Sequence, residues 1–129
     1  MRRRVNEARV GRLATISPDG HPHVVPCCFV LSESVLYSAV DAKPKSSYTL
    51  QRVRNIRSLP LAALLIDHYA EDWSVLWWIR IDGTARVLES GSERSRALEL
   101  LAMKYEQYLR VPPPGPAIAI DVTGWRAWP

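Results

Sequence analysis

The chain has 129 residues, 47% of them hydrophobic and 23% charged; at this length roughly two-thirds of the unfolded surface can be buried, so a single domain over residues 1–129 builds a core without disulfides or a structural metal. Cys27 and Cys28 are adjacent and point to opposite faces of a strand, which excludes a disulfide-stapled domain, and neither a membrane-length apolar run nor a signal-peptide core follows Met1-Arg2-Arg3-Arg4, so the expected location is the cytoplasm. Seventeen Lys and Arg against thirteen Asp and Glu leave a net charge of +4, which favours an anionic partner, and most of these cations are Arg, the residue suited to forked contacts with phosphate or carboxylate.

Residues 10–17 are strand-like, and Pro18-Asp19-Gly20 closes them with turn chemistry that uses glycine's freedom at positive φ. Residues 22–31 read as a second strand and residues 35–40 as a third, joined through Ser32-Glu33-Ser34, so these three are expected to form an antiparallel meander. Pro44 cannot continue the ladder. Ser46 or Ser47 caps a short helix running to about Ser58, whose apolar side is Leu50, Val53 and Ile56. A fourth strand over residues 61–68 and a loop over 69–72 lead into residues 73–88, where Trp73, Val75, Trp77, Ile79 and Ile81 alternate on one face. Inside that run Asp82-Gly83 reads either as a hairpin turn or as a bulge in one long strand. Ser90 with Glu93 fits a capping box for a last helix bearing Ala97, Leu98, Leu101, Tyr105 and Tyr108, which the prolines at 112–114 end. A final strand runs from Ala117 to about Trp125. Without any alternating βαβ pattern, the expected fold class is mainly β: a small antiparallel barrel of about six strands with short helices.

Chemistry concentrates in two stretches. Residues 43–57 hold Lys43, Lys45, Arg52, Arg54 and Arg57 with Ser46, Ser47 and Thr49 and no acid; this is either a phosphate cradle at a helix N-terminus or a solvated basic face. Residues 72–78, Asp-Trp-Ser-Val-Leu-Trp-Trp, put three indoles close together. In a strand Trp73 and Trp77 share one face and Trp78 takes the other, as core and dimer interface or as a stacking surface for a planar ligand. His21 and His23, at i and i+2, with His68 lack a clustered carboxylate or thiolate, so no metal is expected. Buried strand cysteines behave as small hydrophobes, and no nucleophile elbow, Walker loop or His-Glu-x-x-His motif is present.

Gly11-Arg12-Leu13-Ala14-Thr15-Ile16, Asp19-Gly20 and Pro22-His23-Val24-Val25-Pro26 resemble the opening of the pyridoxamine 5'-phosphate oxidase-like split β-barrel superfamily. Residues 37–45, which end in Lys43-Pro44-Lys45, residues 67–74, Leu76-Trp77-Trp78-Ile79-Arg80 and the closing Asp121-Val122-Thr123-Gly124-Trp125-Arg126 are similar to an actinobacterial subfamily of deazaflavin (coenzyme F420)-dependent oxidoreductases. The resemblance covers residues 10–128, although such relatives carry a longer N-terminal helix than the nine residues preceding the first strand here.

This resemblance implies a six-stranded antiparallel split β-barrel of the FMN-binding type, and a homodimer with two cofactor sites, each built from both chains. It implies that Lys43, Lys45, Ser46, Arg52 and Asn55 grip the anionic phosphodiester and glutamate tail of the deazaflavin. Val24, Val25 and Pro26, with Tyr37 and Ser38, line the ring, and Trp73, Ser74 and Trp77 come from the partner chain. The reaction it implies is hydride transfer from reduced deazaflavin to a small planar or conjugated acceptor, with the protein supplying position and dryness. No catalytic residue is assigned; His68 and Tyr69 are candidate proton donors or local structural groups. The alternatives are an FMN- or haem-binding protein of the same fold and a non-catalytic deazaflavin store. No RNP or helix-turn-helix pattern supports a nucleic-acid partner.

Overall fold

The computed structural model describes residues 1–40 and 47–129, with side chains in the segment after residue 46 described from Gln51 onward. The first alternating run forms β1 (Gly11–Ile16), which turns Gly11, Leu13 and Thr15 inward and Arg12 outward. At the tight turn that follows, Gly20 sits at φ 88°, and its N–H donates to Ser17 O at 2.8 Å. The chain returns as β2 (Pro22–Cys27), paired antiparallel with β1.

The expected second strand is two strands. β2 ends at Cys27, and β3 (Val30–Ser32) begins after Cys28 and Phe29, pairing with β4 (Val35–Ala39). The meander is therefore broken in the middle: among the described residues seven strands run in the order β2-β1-β5-β6-β7-β4-β3, which places β2 and β3 at opposite ends of one sheet. Only Cys28 and Phe29 separate those ends along the chain. Consecutive Cα atoms are about 3.8 Å apart, so the two edges must lie close together and the sheet must curl into a half-barrel. The mainly β, split-barrel expectation holds, with one strand more than the six anticipated because this strand bends.

Curling gives the sheet an inside. Leu13, Phe29, Leu36, Leu64, Ile66, Ile79, Ile81 and Ile118 fill it. Two helices close its ends. From α1 (Arg2–Glu7), a helix the sequence reading left out because its residues are mostly charged, Val5 enters the core fully buried. From α2 (Ser47–Ser58), Ile56 does the same. β5 (Leu61–His68) has the expected bounds.

The tryptophan-rich strand starts later than expected. Residues Trp73–Val75 form a 3₁₀ turn whose first N–H groups are capped by Asp72, with Ser74 N donating to Asp72 Oδ1 at 3.0 Å. β6 (Trp77–Leu88) follows. It is continuous through Asp82-Gly83, and the irregularity there is a bulge: Asp82 pairs with Gly124 and Gly83 with Val122, which leaves Thr123 as an extra residue on β7 (Ala117–Trp128). Thr123 Oγ1 donates to Asp82 O at 3.2 Å. A Cβ on Gly83 would lie 2.4 Å from Asp121 O, so only glycine fits this close approach.

Between these strands lie α3 (Ser92–Lys104) and α4 (Glu106–Arg110). The capping box is not made. Gly91 is the N-cap, without a side-chain hydrogen bond, and Glu93 is instead gripped by both Nη atoms of Arg86 at 2.7 and 2.9 Å. Arg86 also forks onto Asp121, and Tyr37 Oη donates to Glu93 at 2.9 Å. A charged fork that ties β4, β6 and β7 to α3 wins over a local cap. The two helices lie on the outside of β4 and the start of β7, where Ala97 and Leu101 pack against Tyr37, Ala39, Ala117 and Ala119. Among the described residues no helix is long and apolar enough to cross a membrane.

Candidate functional site

The end of the β5–β6 ladder is aromatic. Register places His68 opposite Trp77, and Trp78 between Asp67 and Trp128. Because neighbours in a strand point to opposite faces, Trp77 faces inward beside Ile79 while Trp78 and Trp128 face outward. A cleft of about 660 Å³ opens here, lined by Leu65, Asp67, His68, Tyr69, Leu76, Trp77, Trp78, Arg80 and Trp128. The rings of His68 and Trp77 are stacked, 6.2 Å between centroids and 20° apart, and the Arg4 guanidinium lies 4.7 Å over Trp77.

Trp73 and Trp77 do not share a strand face as anticipated, because Trp73 belongs to the 3₁₀ turn. Trp73 is 70% exposed, and its Nε1 donates to Tyr69 Oη at 3.4 Å. Ser74 Oγ donates to Asp72 Oδ1 at 2.7 Å, and the Ser74 hydroxyl and N–H together hold the Asp72 carboxyl below its ordinary range.

The remaining expected site residues occupy other places. Val24 and Pro26 point outward from β2, with Val24 60% exposed, while Val25 turns in against the core. Tyr37 lies beneath α3, where burial first and then its bond to Glu93 push its hydroxyl pKa up. Ser38, its neighbour, faces the other side and donates to Cys28 O at 2.8 Å. Lys43, Lys45 and Ser46 lie outside the described residues.

Arg52 and Asn55 stand on the sheet-facing side of α2. Asn55 is fully buried; its Nδ2 donates to Thr15 Oγ1 at 3.0 Å and its Oδ1 accepts from Gln51 Nε2 at 2.7 Å. Arg52 is only 7% exposed, yet its Nε and Nη1 have no hydrogen-bond partner among the described residues. Burying guanidinium N–H groups without acceptors is strongly unfavourable. The geometry therefore fits an anionic group at Arg52, and the fit rests on that one buried side chain.

A sequence profile described as "Pyridoxamine 5'-phosphate oxidase" matches residues 1–129. The chain belongs to this family. The family includes oxidoreductases and non-catalytic haem-binding proteins, and its members bind flavins or haem. No curated protein matches the sequence. Among solved structures, a conserved hypothetical protein of Mycobacterium tuberculosis is similar at TM-score 0.79 and 21% identity, over 98% of this chain and 81% of that one. The haem storage protein of Vibrio cholerae is similar at TM-score 0.72 and 15% identity, over 95% and 86%. An FAD-binding protein of Mesorhizobium loti follows at TM-score 0.64 and 21% identity, over 95% and 87%. At these identities the likeness is one of fold.

Two residues of the aromatic end escaped the sequence reading. Trp128 lies beyond the point where the last strand was expected to stop, and the bulge at Thr123 shifts the alternation so that Gly124, Arg126 and Trp128 face outward. Arg4 comes from α1, and no local pattern connects it with Trp77.

Proposed function

We propose that the protein is a deazaflavin (coenzyme F420)-dependent oxidoreductase that works as a homodimer. The observation that carries this reading is Arg52, buried on α2 with two guanidinium nitrogens that find no acceptor among the described residues. The phosphodiester and carboxylates of a deazaflavin tail are the acceptors such a group lacks, and Lys43, Lys45, Ser46 and Asn55 belong to the same stretch of sequence. The outward-facing Val24, Pro26, Leu65, Trp78 and Trp128 supply an apolar surface on which a second copy can pack. A second copy there brings Trp73, Ser74 and Trp77 of one chain toward the ring-lining strand of the other.

When bound, the deazaflavin supplies hydride transfer. The chain's own part is to hold, orient and dry. Arg52 anchors the anionic portion, the indole of Trp77 keeps a planar acceptor flat against the barrel end, and the closed interface excludes water. Tyr69 Oη, oriented by the Trp73 indole, and His68, set by stacking on Trp77, are the groups at the rim from which a proton reaches a reduced acceptor.

A parallel titration with oxidised deazaflavin and FMN tests the reading. Deazaflavin is expected to bind more tightly, and Arg52→Ala to weaken it. Tighter FMN binding, or an absorption spectrum of bound haem, turns the assignment to a flavin- or haem-binding protein, the reading favoured by the fold neighbours that bind FAD or store haem. Deazaflavin binding with no acceptor reduced by a panel of quinones, nitro compounds and conjugated ketones identifies a cofactor store.

A further inference from the structure

A second groove, of about 430 Å³, runs between α1 and the barrel end and shares Asp67, His68 and Trp77 with the aromatic cleft. Its charge is unbalanced in a specific way. Three guanidiniums, Arg4, Arg9 and Arg12, line it against two carboxylates, Glu7 and Asp67. Glu7 is taken by Arg3 at 3.1 Å, and Asp67 meets Arg12 at 3.7 Å, a loose pair with both side chains nearly half exposed. Among the described residues, Arg4 and Arg9 have no carboxylate partner. Arg4 lies over the Trp77 ring at 4.7 Å, and Arg9 lies over Tyr105 at 4.6 Å with Nη2 donating to Lys104 O at 3.0 Å. The groove thus joins a flat aromatic wall, Trp77 stacked with His68, to cations whose forked donors lack an acid.

We infer that this groove binds planar conjugated carboxylates, the ring system taking the place beside His68 where the Arg4 guanidinium now covers Trp77, and the carboxylate accepting from the displaced Arg4 and from Arg9. Flat apolar area supplies the attraction, and the guanidinium fork supplies orientation and selects charge. The inference rests on the proposed function for this ligand's role as the acceptor, and so names the acceptor class; the binding itself requires no cofactor.

Isothermal titration of the full chain with 2-naphthoate and its neutral analogue 2-naphthamide tests it without deazaflavin. The carboxylate is expected to bind about tenfold more tightly than the amide, with the advantage shrinking as salt is raised. Arg4→Gln, an exposed position, removes most of that advantage while leaving the unfolding temperature unchanged. Asp67→Asn, which frees Arg12 from a competing acid, strengthens naphthoate binding. Trp77→Leu weakens both probes; if that variant fails to fold, the Arg4 and Asp67 variants still decide. Equal affinities for the two probes, or naphthoate binding indifferent to Arg4→Gln, overturns the inference. Deazaflavin binding without naphthoate selectivity removes this site alone and leaves the proposed function standing; selectivity without deazaflavin binding supports the site and removes the proposed function.

Discussion

The outer face of the curled sheet has two halves built from the same alternating pattern and finished differently. Over β4 and the start of β7, outward residues are small or deeply covered: Ala39, Ala117 and Ala119 let α3 close onto the strands, and Leu101, Tyr105 and Tyr108 seal the contact. Over β2, β5 and the end of β7 the outward residues are large and open, Val24 and Leu65 among them, with Trp128 50% exposed. β7 belongs to both, covered where it begins and bare where it ends. The difference teaches that, among the described residues, the chain's own helices cover only one half of this face. On the proposed reading, the apolar patch beside Arg12, Arg80 and Arg126 is the face on which a second copy packs.

Removing a side chain from the covered half should break the comparison most severely. Leu101→Ala deletes a fully buried side chain from α3 and is expected to cost about 2–5 kcal/mol in denaturant unfolding. The corresponding Leu65→Ala in the bare half should cost far less at concentrations where the chain is monomeric. A charge in the bare half should instead act on assembly. Leu65→Arg, at the centre of that patch, is expected to weaken self-association by about 2 kcal/mol, read by sedimentation, with the fold intact by circular dichroism. An unchanged sedimentation profile counts against a second copy on this face.

Titration sharpens the contrast further. Lys104, at the end of α3, donates to Phe29 O at 2.9 Å and lies 3.9 Å from the Phe29 ring centroid. Burial, reinforced by nearby Arg9, lowers its pKa to about 8 from the ordinary 10.5. The unfolded chain therefore holds the extra proton between those values, and this contribution to stability rises with pH through that window. Lys104→Met should flatten the rise in unfolding temperature between about pH 8 and pH 10.

Glu93 gives a smaller dependence of the same sign, in the acid range. Its hydrogen bonds to Arg86, and secondarily to Tyr37, hold its pKa at about 2 against 4.5. Its stabilisation is present above the unfolded value and lost as pH falls from 4.5 toward 2. Solvent reaches 39% of the side chain, so the effect is about 1 kcal/mol or less. The difference in unfolding temperature between the protein and Glu93→Gln should vanish near pH 2. The bare half's Arg80 and Asp82 pair, equally open to water, has no counterpart of the buried Lys104, so Asp82→Asn should leave the alkaline limb untouched.

Local pattern determined a good deal of this protein. Alternation located most strands, β5 to the residue, because a half-buried strand must repeat every two positions whatever lies around it. Turn chemistry located Gly20, and helical spacing located α2 and α3. Of the candidate site, Trp77 and the basic stretch containing Arg52 were legible because their residue types are unusual at that density. Alternation, however, says only that a strand has two faces. It is silent on which face a helix covers, so Tyr37's place beneath α3 and Val24's exposure emerged only when the sheet curled. Three-dimensional closure also broke residues 22–31 at Cys28 and Phe29, moved Glu93 from a helix cap to Arg86, and pushed Trp73 out of the strand into a turn capped by Asp72. It buried Arg52 with two nitrogens that find no acceptor among the described residues, and set Arg4 over Trp77. Each of these depends on groups far apart in sequence competing for the same charge or space, and that competition is decided only in the folded chain.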